Sequence, residues 1–69
     1  MKNRLRELRE GAAMTQSELA SLADVSRQTI IAVEKSHFDP SLRLAYRLSD
    51  ILKRPVEEIF PRPGADADS

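Results

Sequence analysis

Two helix starts, set a short distance apart, constrain this chain more than any other feature. The first lies in Thr15-Gln16-Ser17-Glu18-Leu19-Ala20 and the second in Val25-Ser26-Arg27-Gln28-Thr29-Ile30. Thr15 followed three residues later by Glu18 is a capping box. Its hydroxyl and carboxylate satisfy backbone N–H groups that a helix leaves open at its start, and Met14 can staple against Leu19 around it. Ser26 is a good N-cap, with Val25 and Ile30 placed as a second staple. Leu22, Ala23 and Asp24, between the two units, leave room for a turn of only about three or four residues, which sets two helices at a steep angle.

The remaining punctuation predicts five helices and no strand. The first covers residues 2–10, with Leu5 and Leu8 inward and Gly11 near its end. The second and third cover residues 16–23 and 27–35. Pro40 then breaks the chain, and Ser41 caps a fourth helix that runs to Lys53. On that helix Leu42, Ala45, Leu48 and Leu52, with Leu44 and Ile51 beside them, make a broad apolar stripe. Pro55 suits the first turn of a short fifth helix over residues 56–60, which Pro61 and Pro63 stop. Val25 and the Ile30-Ile31 pair are the β-branched clusters before that point, and helical periodicity accounts for them better than strand alternation. The expected fold class is therefore all-α, a compact five-helix bundle over residues 1–63. Residues 64–69, small and acidic, form an expected disordered tail.

A chain of 69 residues makes one small domain and buries only about 60% of its unfolded surface, which argues against deep clefts and long catalytic constellations. No cysteine is present, so disulfides, zinc fingers and thiol catalysis are excluded. Neither a signal peptide nor a membrane-length apolar run is evident, and a cytoplasmic protein is expected. No nucleophile–base pair, glycine-rich phosphate loop or metal motif supports an enzyme, and no cofactor or small-molecule ligand is expected. His37, the one histidine, has no second ligand at metal spacing. Net charge is zero, with 11 basic and 11 acidic residues. Generic attraction to nucleic acid should thus be weak, and any affinity must come from where the charges sit.

That placement is informative on the third helix. Projected on a 3.6-residue wheel, Ile30 and Val33 point one way, with Glu34 at the boundary, while Arg27, Gln28, Ile31, Ala32 and Lys35 occupy the opposite arc. Arg can bond the O6 and N7 of guanine, Gln the N6 and N7 of adenine, and an apolar side chain such as Ile31 can touch a thymine methyl. Alone, such a face would be read as merely solvated. Preceded by a capped helix and a tight turn, it reads as the recognition helix of a helix-turn-helix, with Arg27, Gln28 and Ile31 as base readers. Gln16 opens the second helix where a phosphate can meet both its amide and the helix N-terminus. Ser26, Lys35 and His37 are further candidates for phosphate contact. Arg9 and Glu34, on the inward edges of their helices, are expected to form a partly buried salt bridge between the first helix and the third.

With these residues in view, the chain resembles the Cro/lambda-repressor-like helix-turn-helix family, also called the XRE family, over about residues 2–60. The marks are Leu5-Arg6-Glu7-Leu8-Arg9, the two capped units, Glu34-Lys35, Pro40-Ser41-Leu42 and Val56-Glu57-Glu58-Ile59-Phe60. The resemblance implies a five-helix domain that regulates transcription by binding double-stranded DNA as a homodimer. By position, Gln16 matches the family's phosphate-clamping glutamine, Arg27 and Gln28 its main base readers, and Arg9 with Glu34 its buried ion pair. The chain departs from the pattern at Ala13, Asp24 and Ser36, where family members commonly carry glycine. It departs again at Ile31, where a small or polar residue is usual.

The expected function is a sequence-specific regulator, a repressor, acting as a homodimer through its C-terminal part: Val56, Phe60 and Tyr46, with Ile59 more suited to the core. The competing reading is a protein-interaction module, such as the antitoxin of a toxin–antitoxin pair or an adaptor. Neutral charge and Ile31 favour that reading, whereas Gln16, Arg27 and Gln28 favour DNA.

Overall fold

The computed structural model describes residues 3–61, so the expected tail lies outside the described residues. Five α-helices follow one another: α1 (Leu5–Gly11), α2 (Gln16–Ala23), α3 (Arg27–Glu34), α4 (Leu42–Leu52) and α5 (Val56–Ile59). No strand occurs among the described residues, and none of their helices is long and apolar enough to cross a membrane.

The caps set the frame. Thr15 Oγ1 accepts from the Glu18 N–H at 3.0 Å, and the Glu18 carboxylate accepts from the Thr15 N–H at 2.8 Å, completing the capping box of α2. Ser26 and Ser41 cap α3 and α4 by accepting from Thr29 and Leu44 N–H groups. Met14 and Val25, the residues before the first two caps, pack against the core, as stapling requires. Leu5, Leu19, Ile30, Val33, Leu48 and Ile59 are fully buried, so every helix contributes to one shared core. α2 packs on both α3 and α4, α4 on α5, and α1 on α3.

Each of the first four helices is followed within two residues by one with left-handed backbone, and none of these residues is glycine: Ala13 (φ 58°), Asp24 (φ 59°), Ser36 (φ 61°) and Lys53 (φ 57°). The following N–H reaches back five residues to a helix carbonyl: Met14 to Arg9, Val25 to Ala20, His37 to Ala32, and Arg54 to Ser49. These are Schellman-type endings, in which the reversed turn satisfies carbonyls that the helix cannot. Three of the four positions are those at which the sequence departs from the glycines of the family it resembles. The backbone keeps the shape while the side chains bear the steric cost, least at Asp24, since Asp tolerates this conformation better than Ala or Ser.

Several sequence expectations need correction. α1 begins at Leu5, not at residue 2, because the Asn3 side chain and the Arg4 N–H are tied by tertiary bonds and Arg4 serves as the N-cap. Asn3 Nδ2 donates to the Val33 carbonyl at 2.9 Å, and the Arg4 N–H donates to the Ile59 carbonyl at 2.9 Å. Pro55 is the N-cap of α5, outside its first turn, and Phe60 ends that helix. Lys35 and Lys53 likewise end α3 and α4 without belonging to them. Leu42 is 66% exposed and lies outside the α4 stripe. The buried set is Leu44, Ala45, Leu48 and Leu52, whose arc is centred well over a quarter-turn from Leu42.

Candidate nucleic-acid interface

The Ser26 cap fixes where α3 starts and therefore which side chains occupy its first turn. Ile30 and Val33 lock the inner face of α3 into the core. Arg27 and Gln28 are left exposed in the first turn, Ile31 half-buried one turn on, and Lys35 exposed at the exit. The two polar tips that a base reader needs are thus turned to solvent, not packed into the monomer.

Behind them runs a continuous hydrogen-bonded chain. Arg9 Nε donates to Glu34 Oε2 at 2.6 Å, and Arg9 Nη1 donates to the Met14 carbonyl at 2.7 Å. This ion pair joins α1 to α3 and is nearly shut off from water, with side-chain exposures of 9% and 4%. Glu34 Oε1 then accepts from Gln16 Nε2 at 3.1 Å, and Gln16 Oε1 accepts from Arg27 Nη2 at 3.4 Å. The first residue of α2 is therefore oriented by a buried carboxylate on α3 and in turn touches the first residue of α3. Gln16 as a bridge was not foreseen from sequence. Its signal was there: it follows an N-cap directly, at the helix end nearest the expected Arg9–Glu34 pair.

Two hollows flank Gln16. One, of about 340 Å³, is lined by Arg6, Arg9, Gln16, Ile31, Glu34 and Lys35. The other, of about 440 Å³, is lined by Arg9, Thr15, Gln16, Ser17 and Arg27. Charge is distributed unevenly around them. Arg4, Arg6, Arg9, Arg47 and Arg54 are in ion pairs, whereas Arg27, Lys35, Arg43 and Lys53 have none within 4.0 Å among the described residues. Arg27 and Lys35, two of those four cations, share the α3 face beside the hollows.

The other expected contacts are placed less decisively. The Ser26 hydroxyl accepts from the Thr29 N–H at 3.2 Å and lies 3.0 Å from Thr29 Oγ1, so capping is its first role and any phosphate contact is additional. His37 is exposed just beyond α3, and its N–H closes the helix end. No group of side chains that could hold a metal occurs among the described residues. The expected dimer surface needs one correction. Phe60 is only 8% exposed and belongs to the core, where the turn after α5 folds it inward. Tyr46 is 57% exposed and Val56 half-buried, so these two remain available.

Comparisons with known proteins agree with this geometry. A family model described as Helix-turn-helix matches residues 5–59. An uncharacterized HTH-type transcriptional regulator from Methanothermobacter thermautotrophicus is 48% identical over 61 residues, covering 87% of this chain and 88% of the relative. One from Archaeoglobus fulgidus is 43% identical over 60 residues, covering 87% and 86%. Among solved structures, the restriction-modification controller protein C.AhdI from Aeromonas hydrophila aligns with a TM-score of 0.77 and 33% identity, over 83% of this chain and 86% of that one.

Proposed function

Since the chain belongs to the XRE (Cro/C1-type) helix-turn-helix family, we propose that it is a DNA-binding transcriptional regulator that reads its operator through α3 in the major groove. The observation that carries this reading is the exposed Arg27 and Gln28 in the first turn of a capped α3, on a face that also carries Lys35. Arg27, Gln28 and Ile31 read base edges. Gln16, Ser26, Lys35 and His37 position the protein on the phosphates, contacts that fix register and leave the sequence to the bases.

The regulator acts as a homodimer on a pseudo-palindrome, with half-sites about 34–36 Å apart. Supporting this is the size of the domain, because one small module buries too little surface for tight binding. It acts in the cytoplasm as a repressor, without enzymatic activity. Selection of bound fragments from a random duplex pool tests the proposal. Recovery of one two-fold-related motif is the expected result, and recovery of no motif would overturn it.

A further inference from the structure

We propose that the hollow between α1 and α3 seats a DNA backbone phosphate, gripped by Arg6 from α1 and Lys35 from the end of α3. The inference rests on the DNA-binding reading and extends the contact surface beyond the two helices of the motif onto the first helix.

Six residues line the hollow, and their charges do not cancel evenly. Arg9 and Glu34 neutralise each other in the buried pair at 2.6 Å. What remains is Arg6 and Lys35, two cations facing one space of about 340 Å³. Lys35 has no ion pair among the described residues. Arg6 Nε reaches Glu10 Oε2 at 3.4 Å, but the two side chains are 73% and 55% exposed. Such a pair is screened by solvent and loosely held, so Arg6 can exchange Glu10 for a stronger anion.

Geometry supplies the anion. Ile31 and Lys35 lie one turn apart on the outward face of α3, the face that also carries Arg27 and Gln28. When that face enters a groove, the hollow borders the strand alongside. A phosphate there would accept a forked pair of bonds from the guanidinium and a point-charge contact from the ammonium. Gln16, on the same wall, gives one amide N–H to Glu34 and its oxygen to Arg27, and it is neutral, so the charge that holds this phosphate comes from the two cations. Glu10 acts as an internal competitor for Arg6.

The test uses the full chain with its selected operator and with a mixed-sequence duplex, measuring affinity against salt. Arg6→Gln and Lys35→Gln should each weaken both duplexes by a similar factor and reduce the salt slope by about one, leaving sequence preference unchanged. Lys53→Gln, the same charge change outside the hollow, should move the slope less. Glu10→Gln should tighten binding more than Glu57→Gln does, because it frees Arg6. If Arg6→Gln and Lys53→Gln act alike, or Glu10→Gln and Glu57→Gln act alike, the seat does not exist. The two readings fail separately: a loss of preference in Arg27→Ala with an inert Arg6→Gln sinks only the phosphate seat. An unchanged preference in both Arg27→Ala and Gln28→Ala sinks the DNA reading beneath it.

Discussion

Gln16 Nε2 donates to Glu34 Oε1 at 3.1 Å, so the residue that opens α2 takes its orientation from a carboxylate buried at the end of α3. Because Arg9 holds the other oxygen of that carboxylate, folding stability and the aim of Gln16 share one group. The acceptor end of Gln16 is then left facing Arg27, and the two helices of the motif are joined at their starts.

Glu34→Ala should therefore be costly. It strands the Arg9 guanidinium in a largely dry site, and breaking one side of a buried pair costs about 3–5 kcal/mol. For a domain of this size that is a large share of the total stability. Thermal melting measures it, and a midpoint within a degree or two of the parent would contradict the pairing.

The left-handed helix endings offer the opposite sign. Left-handed backbone costs a residue with a Cβ about 1–2 kcal/mol, while glycine brings an entropic penalty of about 0.4–1 kcal/mol. Ala13→Gly should thus stabilise the fold by about 0.5–1 kcal/mol, raising the midpoint by a few degrees. Asp24→Gly should gain less. A destabilised Ala13→Gly protein would show that the φ of 58° carries no strain.

The capping box should reveal itself in acid. The Thr15 N–H, and after it the Thr15 hydroxyl, hold the Glu18 carboxyl below its ordinary range. A carboxyl lowered in the folded state contributes stability that is fully present above its unfolded pKa and is lost as pH falls through the folded value. The stability advantage of the parent over Glu18→Gln should accordingly be constant near neutral pH and shrink in the acid range. Thr15→Ala should cost about 1 kcal/mol near neutral pH, as loss of a helix cap does, and somewhat less in acid, where the Glu18 carboxyl is protonated. Chemical denaturation at several pH values checks both, and a Glu18→Gln difference that grows in acid would contradict the box.

Much of this was legible beforehand because it is local. The bounds of α2, the starts of α3 and α4 and both staples are written in residues three to five apart, where capping chemistry needs no knowledge of the fold. The Arg9–Glu34 pair was readable because helical periodicity placed both residues on inward edges. What escaped depends on tertiary contact. α1 starts late because Asn3 reaches Val33 and Arg4 reaches Ile59, bonds no local pattern encodes. Leu42 stays outside because the packing of α4 on α2 and α5 chooses one of two plausible apolar arcs. Phe60 goes inward because the chain turns after α5. The Gln16 bridge needed both helices in place.

The correction at Phe60 sharpens the dimer prediction. Tyr46→Glu puts a charge on an exposed position of α4 and should lower the mass in light scattering toward one chain, with the melting midpoint little changed. Phe60→Ala should instead destabilise the fold by about 3–5 kcal/mol, since it opens a cavity in the core. If Tyr46→Glu leaves a dimer intact, that surface is not the interface.

The most direct test of DNA reading compares affinity for the selected operator with affinity for random DNA, in the parent, Arg27→Ala and Gln28→Ala, each checked for an unchanged melting profile. Loss of one bidentate base contact should reduce the ratio roughly 5- to 150-fold. A ratio that stays the same in both folded variants would mean that α3 does not read sequence, and would return the chain to the class of protein-interaction modules.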